Sequence, residues 1–156
     1  MKIFLADDDP LLRAGLRVTL AQDQDIEIIG EASDGLSAVK KTRNCPRPDI
    51  SLIDLYMPGL SGIEVIRILR KNIPGMKIIM LSSYDDEGNI RDALEAGADG
   101  YVMKYADNAE LLRIIKSVYK GCRVISPYLF VSNFHQPLTT DNKQLTPPQK
   151  SPKRVI

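Results

Sequence analysis

The sequence predicts an α/β protein, a doubly wound, five-stranded parallel sheet with helices packed on both faces in three layers. Three observations carry the prediction. Five short runs, 2–6, 26–32, 49–53, 77–82 and 100–103, are almost continuously apolar, as strands buried on both faces must be. Helical spacing of apolar residues fills the intervals, and alternation of strand and helix favours a parallel sheet with crossover helices. Prolines stand at the junctions between these units.

In chain order, Ile3-Phe4-Leu5-Ala6 makes the first strand, stopped by Asp7, Asp8 and Asp9. Pro10 opens the first helix, whose Leu12, Leu16 and Leu20 recur about one turn apart. The second strand follows at 26–32. Pro46 and Pro48 then exclude helix ahead of the third strand, which runs into Asp54. Ile66 and Arg70 share a face of the third helix, closed by Pro74-Gly75. After the fourth strand, Ile90 and Leu94 mark the fourth helix, and Gly97 is placed as its C-cap. The fifth strand leads into a helix with the apolar face Leu111, Leu112, Ile114, Ile115 and Val118, closed by Gly121. Five such units in about 120 residues favour the flavodoxin-like strand order 2-1-3-4-5. Residues 1–121 thus form one domain. Residues 122–156 hold five of the ten prolines and little periodicity, and read as a linker or disordered tail.

Composition sets the class. Hydrophobic residues are 44% of the 156 and charged residues 26%, so a core can form. Residues 122–156 carry five basic side chains against the single acid Asp141, net +4, which leaves 1–121 mildly acidic at −3. Cys45 and Cys122 have neither CxxC spacing nor a nearby histidine, which argues against a zinc site or a disulfide scaffold and suits a reducing compartment. His135, the single histidine, reads as a solvated tail residue. The apolar run at 3–6 is too short for a signal peptide, and no stretch could span a bilayer, so a cytoplasmic protein without a membrane partner is expected.

Sites on open parallel sheets form beyond the carboxyl ends of the strands, where strand order reverses. For the order 2-1-3-4-5 that crevice lies between strands 1 and 3. Asp7 and Asp8 leave strand 1 there. Asp54 ends strand 3 in "SLIDLYMPGLSG", a stretch without a basic residue to neutralise it. Ser82 and Ser83 end strand 4, and Lys104 follows strand 5. Three carboxylates in one shallow pocket repel one another. A hard divalent cation, Mg2+ or Mn2+, resolves the repulsion because it prefers oxygen ligands. Asp54 is then ionised and able to attack a phosphoryl group, with Lys104 as a positive contact and the Ser82 hydroxyl as a donor to a phosphoryl oxygen. Taken singly, each residue has a plainer reading. The aspartates suit N-capping, Asp54 a capping turn, the serines a polar strand end and Lys104 a solvated side chain. Their joint placement at strand ends in a single frame favours the site.

Four motifs, "FLADDDP", "DLYMPGLSG", "IIMLSS" and "GADGYVMK", occur in the order found in the receiver domain of bacterial two-component response regulators, and roughly residues 1–121 resemble that family. The resemblance implies that Asp54 is the phosphoacceptor and that a sensor histidine kinase is the partner. It implies that Asp8 binds Mg2+ directly, Asp7 mainly through water, and Tyr56 through its backbone carbonyl. Ser82 and Lys104 would contact the phosphoryl group. Tyr101 matches the aromatic that turns inward on phosphorylation and remodels the surface of the fourth helix, fifth strand and fifth helix. Tyr56 and Tyr84 occupy the two positions that flank the water approach, so an altered phosphoryl lifetime is expected; Tyr84 fits core packing equally well. Tyr105 departs from the proline that many receivers carry after the lysine.

"KGCRVISP" resembles the exit from receivers that carry a LuxR-type helix-turn-helix, and "QLTPPQKSPKRVI" the opening of that domain. Pro148 and Pro152 oppose the helix such an opening needs, at about 3 kcal/mol for a proline in a helix interior. Ile156 leaves no room for two further helices, so a complete DNA-binding domain, and DNA as a partner, are not expected. The expected function is therefore a non-enzymatic signal receiver from a transcription-factor lineage, with homodimer formation on phosphorylation as an open expectation and a regulator acting by protein contact alone as an alternative. An Mg2+-dependent phosphohydrolase with an aspartyl nucleophile is another, although Tyr56 stands where dehalogenase-type enzymes need a second acid. A flavin- or nucleotide-binding module would need glycine or hydroxyl residues where "ADDDP" offers charge and proline.

Overall fold

The computed structural model describes residues 1–126. The expected tail past that point, with His135 and the "QLTPPQKSPKRVI" segment, lies outside the described residues. The elements in chain order are β1 (Lys2–Ala6), α1 (Pro10–Leu20), β2 (Glu27–Ala32), α2 (Gly35–Asn44), β3 (Ile50–Asp54), α3 (Gly62–Asn72), β4 (Lys77–Ser82), α4 (Glu87–Ala96), β5 (Gly100–Met103), α5 (Asn108–Tyr119) and β6 (Val124–Ile125). All strand pairs are parallel, in the order β2-β1-β3-β4-β5-β6.

The expected five strands and their order are present, and β6 adds a sixth at the β5 edge. Residues 122–126 therefore belong to the folded body. Val124 and Ile125 pair with Gly100 and Tyr101, and the buried Ser126 donates its amide to the Tyr101 carbonyl at 2.9 Å. Two apolar residues between Arg123 and Ser126 are too short a run to show periodicity.

Alternation along each strand builds two cores. Ile3, Leu5, Ile50, Leu52, Ile79, Leu81 and Val102 face α1 and α5, meeting Leu16, Leu20, Leu111, Ile114, Ile115 and Val118. Phe4, Ala6, Ile53, Ile78, Met80, Tyr101 and Met103 face the other way, against Ala38 and Val39 of α2, Val65, Ile66 and Leu69 of α3, and Ile90 and Ala93 of α4. Burial on both faces explains why these strands read as continuous apolar runs rather than alternating ones.

Side-chain caps fix where the helices begin, and so where the loops at the carboxyl ends of the strands lie. Asp9, Asp34, Ser61, Asp86 and Asp107 cap α1 to α5, with a reciprocal Ser61–Glu64 capping box on α3. Gly97 closes α4 at φ 115°, a conformation that favours glycine. Arg70 at the end of α3 reaches across to the Met76 carbonyl at 2.7 Å, the Gly97 carbonyl, and Asp99 Oδ2 at 2.9 Å. It thereby ties α3, β4 and the α4–β5 turn together.

Two glycines on helices should respond oppositely to alanine. A Cβ on Gly62 would stand 2.2 Å from the Asp54 carbonyl oxygen, whereas one on Gly15 meets nothing within 4 Å. Urea denaturation should show Gly62→Ala destabilised by about 1–3 kcal/mol. Gly15→Ala should be stabilised by about 0.5–1 kcal/mol through reduced backbone entropy. Equal effects of the two would contradict the close approach of α3 to the end of β3.

Candidate functional site

Four adjacent strands set the site. Ala6 lies beside Ile53, Asp54 beside Leu81, and Ser82 beside Met103, so residues leaving β1, β3, β4 and β5 emerge at one level. Backbone bonds continue past the strand ends. The Asp7 amide donates to the Ala32 carbonyl at 3.1 Å, Leu55 to Leu81 at 2.9 Å, and Lys104 to Ser82 at 2.8 Å. The loops thus leave the sheet from fixed positions.

The three consecutive aspartates divide their tasks. Asp9 caps α1, accepting from the amides of Leu11 and Leu12 at 2.9 and 3.2 Å. Asp7 is buried and Asp8 exposed, and their carboxylates converge with that of Asp54 so that one oxygen from each lies within 4.8 Å of the others. The capping reading of the sequence holds for Asp9 alone. Asp7 is fixed by the Asp9 amide, which donates to its Oδ1 at 2.8 Å, and by Arg13, which donates to its carbonyl at 2.5 Å.

Lys104 crosses from β5 to meet two of these acids, with Nζ 2.9 Å from Asp7 Oδ2 and 3.0 Å from Asp54 Oδ1. The ammonium is the one polar neighbour of the buried Asp7 Oδ2, which has no other hydrogen-bond partner among the described residues. Burial works against the Lys104 charge, but the contacts with Asp7 and Asp54 outweigh it and raise the ammonium pKa. Asp54 is 4% exposed. Its burial, aided by the Asp7 charge and opposed by the Lys104 hydrogen bond, pushes the carboxyl up to about 7. One ammonium does not balance the cluster. An all-oxygen donor set of three converging carboxylates facing one ammonium fits a hard divalent cation such as Mg2+.

A cavity of about 260 Å³ opens over the cluster, lined by Asp8, Asp54, Tyr56, Ser82, Ser83, Tyr84 and Lys104. The expected residues Asp8, Asp54, Tyr56, Ser82, Tyr84 and Lys104 are thus brought together around it, with Asp7 beside them in the carboxylate cluster. Ser82 is buried, and its Oγ accepts from the Tyr84 amide at 2.9 Å. The Tyr56 amide approaches Asp54 Oδ1 at 3.4 Å. Tyr101 sits one layer below. Its ring is fully buried already, and its hydroxyl donates to the Tyr84 carbonyl at 2.7 Å. Burial pushes that phenol up to about 12. Tyr84 is about half exposed and packs edge to face on Tyr56 rather than in the core. Asn89, whose amide reaches the Tyr56 hydroxyl, escaped the sequence reading because an asparagine in the first turn of a helix signals only local capping.

Residues 3–116 match the response regulator receiver domain family. YhcZ of Bacillus subtilis, an uncharacterized transcriptional regulatory protein, is 37% identical over 155 residues, which cover 96% of this chain and 72% of YhcZ. The oxygen regulatory protein NreC of Staphylococcus aureus is 37% identical over 144 residues, 87% of this chain and 66% of NreC. The chain thus spans about two thirds of the length of the curated relatives it matches. Among solved structures, a LuxR-family two-component response regulator from Aurantimonas superposes with a TM-score of 0.78 at 34% identity, covering 82% of this chain and 91% of that one. The receiver domain of NarL from Mycobacterium tuberculosis superposes at 0.73 with 28% identity, covering 77% and 96%.

The raised Asp54 pKa has a measurable consequence for the metal-free protein. The fold favours the protonated carboxyl, so this contribution to stability is complete below the ordinary value of 3.8 and is lost as pH rises through about 7. Thermal unfolding in EDTA between pH 4 and pH 8 should show the parent chain losing stability relative to Asp54→Asn. A constant difference across that window would contradict the burial argument.

Proposed function

The chain belongs to the response regulator receiver domain family, whose members serve phosphorylation-dependent signalling in two-component systems, and on that premise we propose that Asp54 accepts a phosphoryl group from a sensor histidine kinase. The observation that carries the reading is the buried Asp54 carboxylate at the end of β3, paired with Lys104 and crowded by Asp7. An Asp54 oxygen attacks phosphorus while the bond from phosphorus to the donor nitrogen breaks, and the nitrogen keeps the electron pair. Lys104 follows the charge onto a phosphoryl oxygen. Ser82, whose Oγ accepts from the Tyr84 amide and which also hydrogen-bonds the Tyr101 hydroxyl, would turn its proton to another phosphoryl oxygen. Asp8 and Asp54, the Tyr56 carbonyl and, through water, Asp7 would hold Mg2+, with Mn2+ as a substitute. That ion would neutralise charge on the transferring group.

Movement of Ser82 toward the phosphoryl oxygens pulls on the Tyr84 backbone, and through it on the Tyr101 hydroxyl. This is the route by which we connect the acceptor to the surface of α4, β5 and α5. With Tyr101 already inside, the described conformation fits the signalling-competent side of that equilibrium. YhcZ, named a transcriptional regulatory protein, supports a transcriptional role for a longer protein of this kind, and dimer formation on phosphorylation is the means we propose for it. Among the described residues no helix is long and apolar enough to cross a membrane.

Incubation with a small acyl phosphate and Mg2+ should place one acid-labile phosphoryl group on the parent chain and none on Asp54→Asn. Full labelling of Asp54→Asn would refute the assignment. Lys104→Met should slow labelling about 100-fold or more, the usual cost of removing a donor aimed at developing phosphoryl charge.

A further inference from the structure

β6 lies outside the acceptor site, yet it closes the sheet beside Tyr101. Val124 donates its amide to the Asp99 carbonyl at 3.1 Å, and Ser126 donates to the Tyr101 carbonyl at 2.9 Å. Ile125 is the register partner of Tyr101 and packs against the same core, while Val124 packs on the opposite face. The approach is close, since a Cβ added to Gly100 would stand 3.2 Å from the Val124 carbonyl oxygen. A strand of two residues is too short to be held by ladder bonds alone. Ser126 supplies what it lacks. The residue is fully buried, and its Oγ donates to Glu110 Oε1 of α5 at 2.8 Å. A hydroxyl buried there costs free energy unless it keeps this partner.

Tyr101 is thus held from two directions. Its hydroxyl donates to the Tyr84 carbonyl on the acceptor side, and its carbonyl accepts from Ser126 on the other. Without β6, β5 would be the edge strand and the ring would border solvent there. We propose that β6 is a strap, pinned by the Ser126–Glu110 hydrogen bond, that locks Tyr101 in its inner seat and ties the onward path of the chain to that seat. The lock acts in both directions. Whatever stabilises the inner ring also stabilises the docked strap, and a load on residues 127–156 that draws the strap off frees the ring. The connection to phosphorylation rests on Asp54 being the acceptor, whereas the lock between strap and ring does not.

The test uses the full chain. Amide exchange at residues 124 and 126 reports the strap, and hydroxyl-radical modification of Tyr101, read by mass spectrometry, reports the ring. Ser126→Pro removes the amide donor and Glu110→Ala the side-chain acceptor, while Glu110→Gln keeps an acceptor oxygen. The first two should speed exchange of the Val124 amide and raise Tyr101 modification about two- to tenfold, the weight of one hydrogen bond. Glu110→Gln should restore the protection of the parent. Unchanged exchange in both variants overturns the pin, and faster exchange with unchanged Tyr101 modification overturns the lock. Labelling with a small acyl phosphate and Mg2+ tests the connection to the acceptor. Exchange at 124 and 126 should slow about two- to tenfold in the labelled parent and stay the same in Asp54→Asn. A labelled parent with unchanged exchange overturns the connection and leaves Asp54 as acceptor. A parent that takes no label overturns the acceptor and the connection together, and Tyr101 modification still decides the lock. Circular dichroism like the parent's is required of each variant. Ser126→Ala, which removes the hydroxyl alone, takes the place of Ser126→Pro should the proline unfold the chain.

Discussion

Lys104 stands between two buried carboxylates, 2.9 Å from Asp7 and 3.0 Å from Asp54, and the remainder of the site follows from that contact. Like charges at this separation, out of water, repel strongly, and a lone ammonium cannot neutralise both while Asp8 adds a third acid. The cluster is left with an excess of negative charge, and the buried Asp7 Oδ2 has the shared ammonium as its one polar partner. Burial first, and the Asp7 charge after it, favour the protonated Asp54 carboxyl and push it up to about 7. A divalent cation would relieve the excess charge without using the proton, and would leave Asp54 ionised for the nucleophilic role proposed for it.

The fold supplies the means of keeping such an arrangement. Strands buried on both faces hold the three charged residues at one level, and their backbone bonds run on past the strand ends. Gly62 lets α3 start against the Asp54 carbonyl, and Asp9 takes up the capping of α1 so that Asp7 and Asp8 remain for the cluster. Above this floor the exposed Tyr56 and Tyr84 meet at the cavity mouth, with Asn89 reaching Tyr56 from the first turn of α4.

Much of this was legible in the sequence because it depends on local pattern. Continuous apolar runs gave the strands to within a residue, with β2 starting at Glu27 rather than 26 and β3 extending to Asp54 itself. The strand-order rule placed Asp7, Asp8, Asp54, Ser82 and Lys104 around one crevice. What stayed hidden needed distances between side chains. "DDD" does not reveal which aspartate caps and which is buried, since all three positions satisfy a helix start. β6 is two residues long, below any periodic signal. The Tyr56–Tyr84 stack joins residues 28 positions apart through rotamers that no spacing rule encodes, and Asn89 reads as a cap neighbour until its amide is seen on the Tyr56 hydroxyl. The inward seating of Tyr101 is likewise a choice of rotamer.

The central claim, that these carboxylates form one under-neutralised cluster built to share a divalent ion, is tested most directly by anomalous diffraction from crystals of the chain grown with Mn2+. The account predicts one strong anomalous peak bound by the carboxylates of Asp8 and Asp54, with the Asp7 carboxylate turned toward it. A peak elsewhere, or none at millimolar Mn2+ while Asp54 stays paired with Lys104 alone, would contradict it.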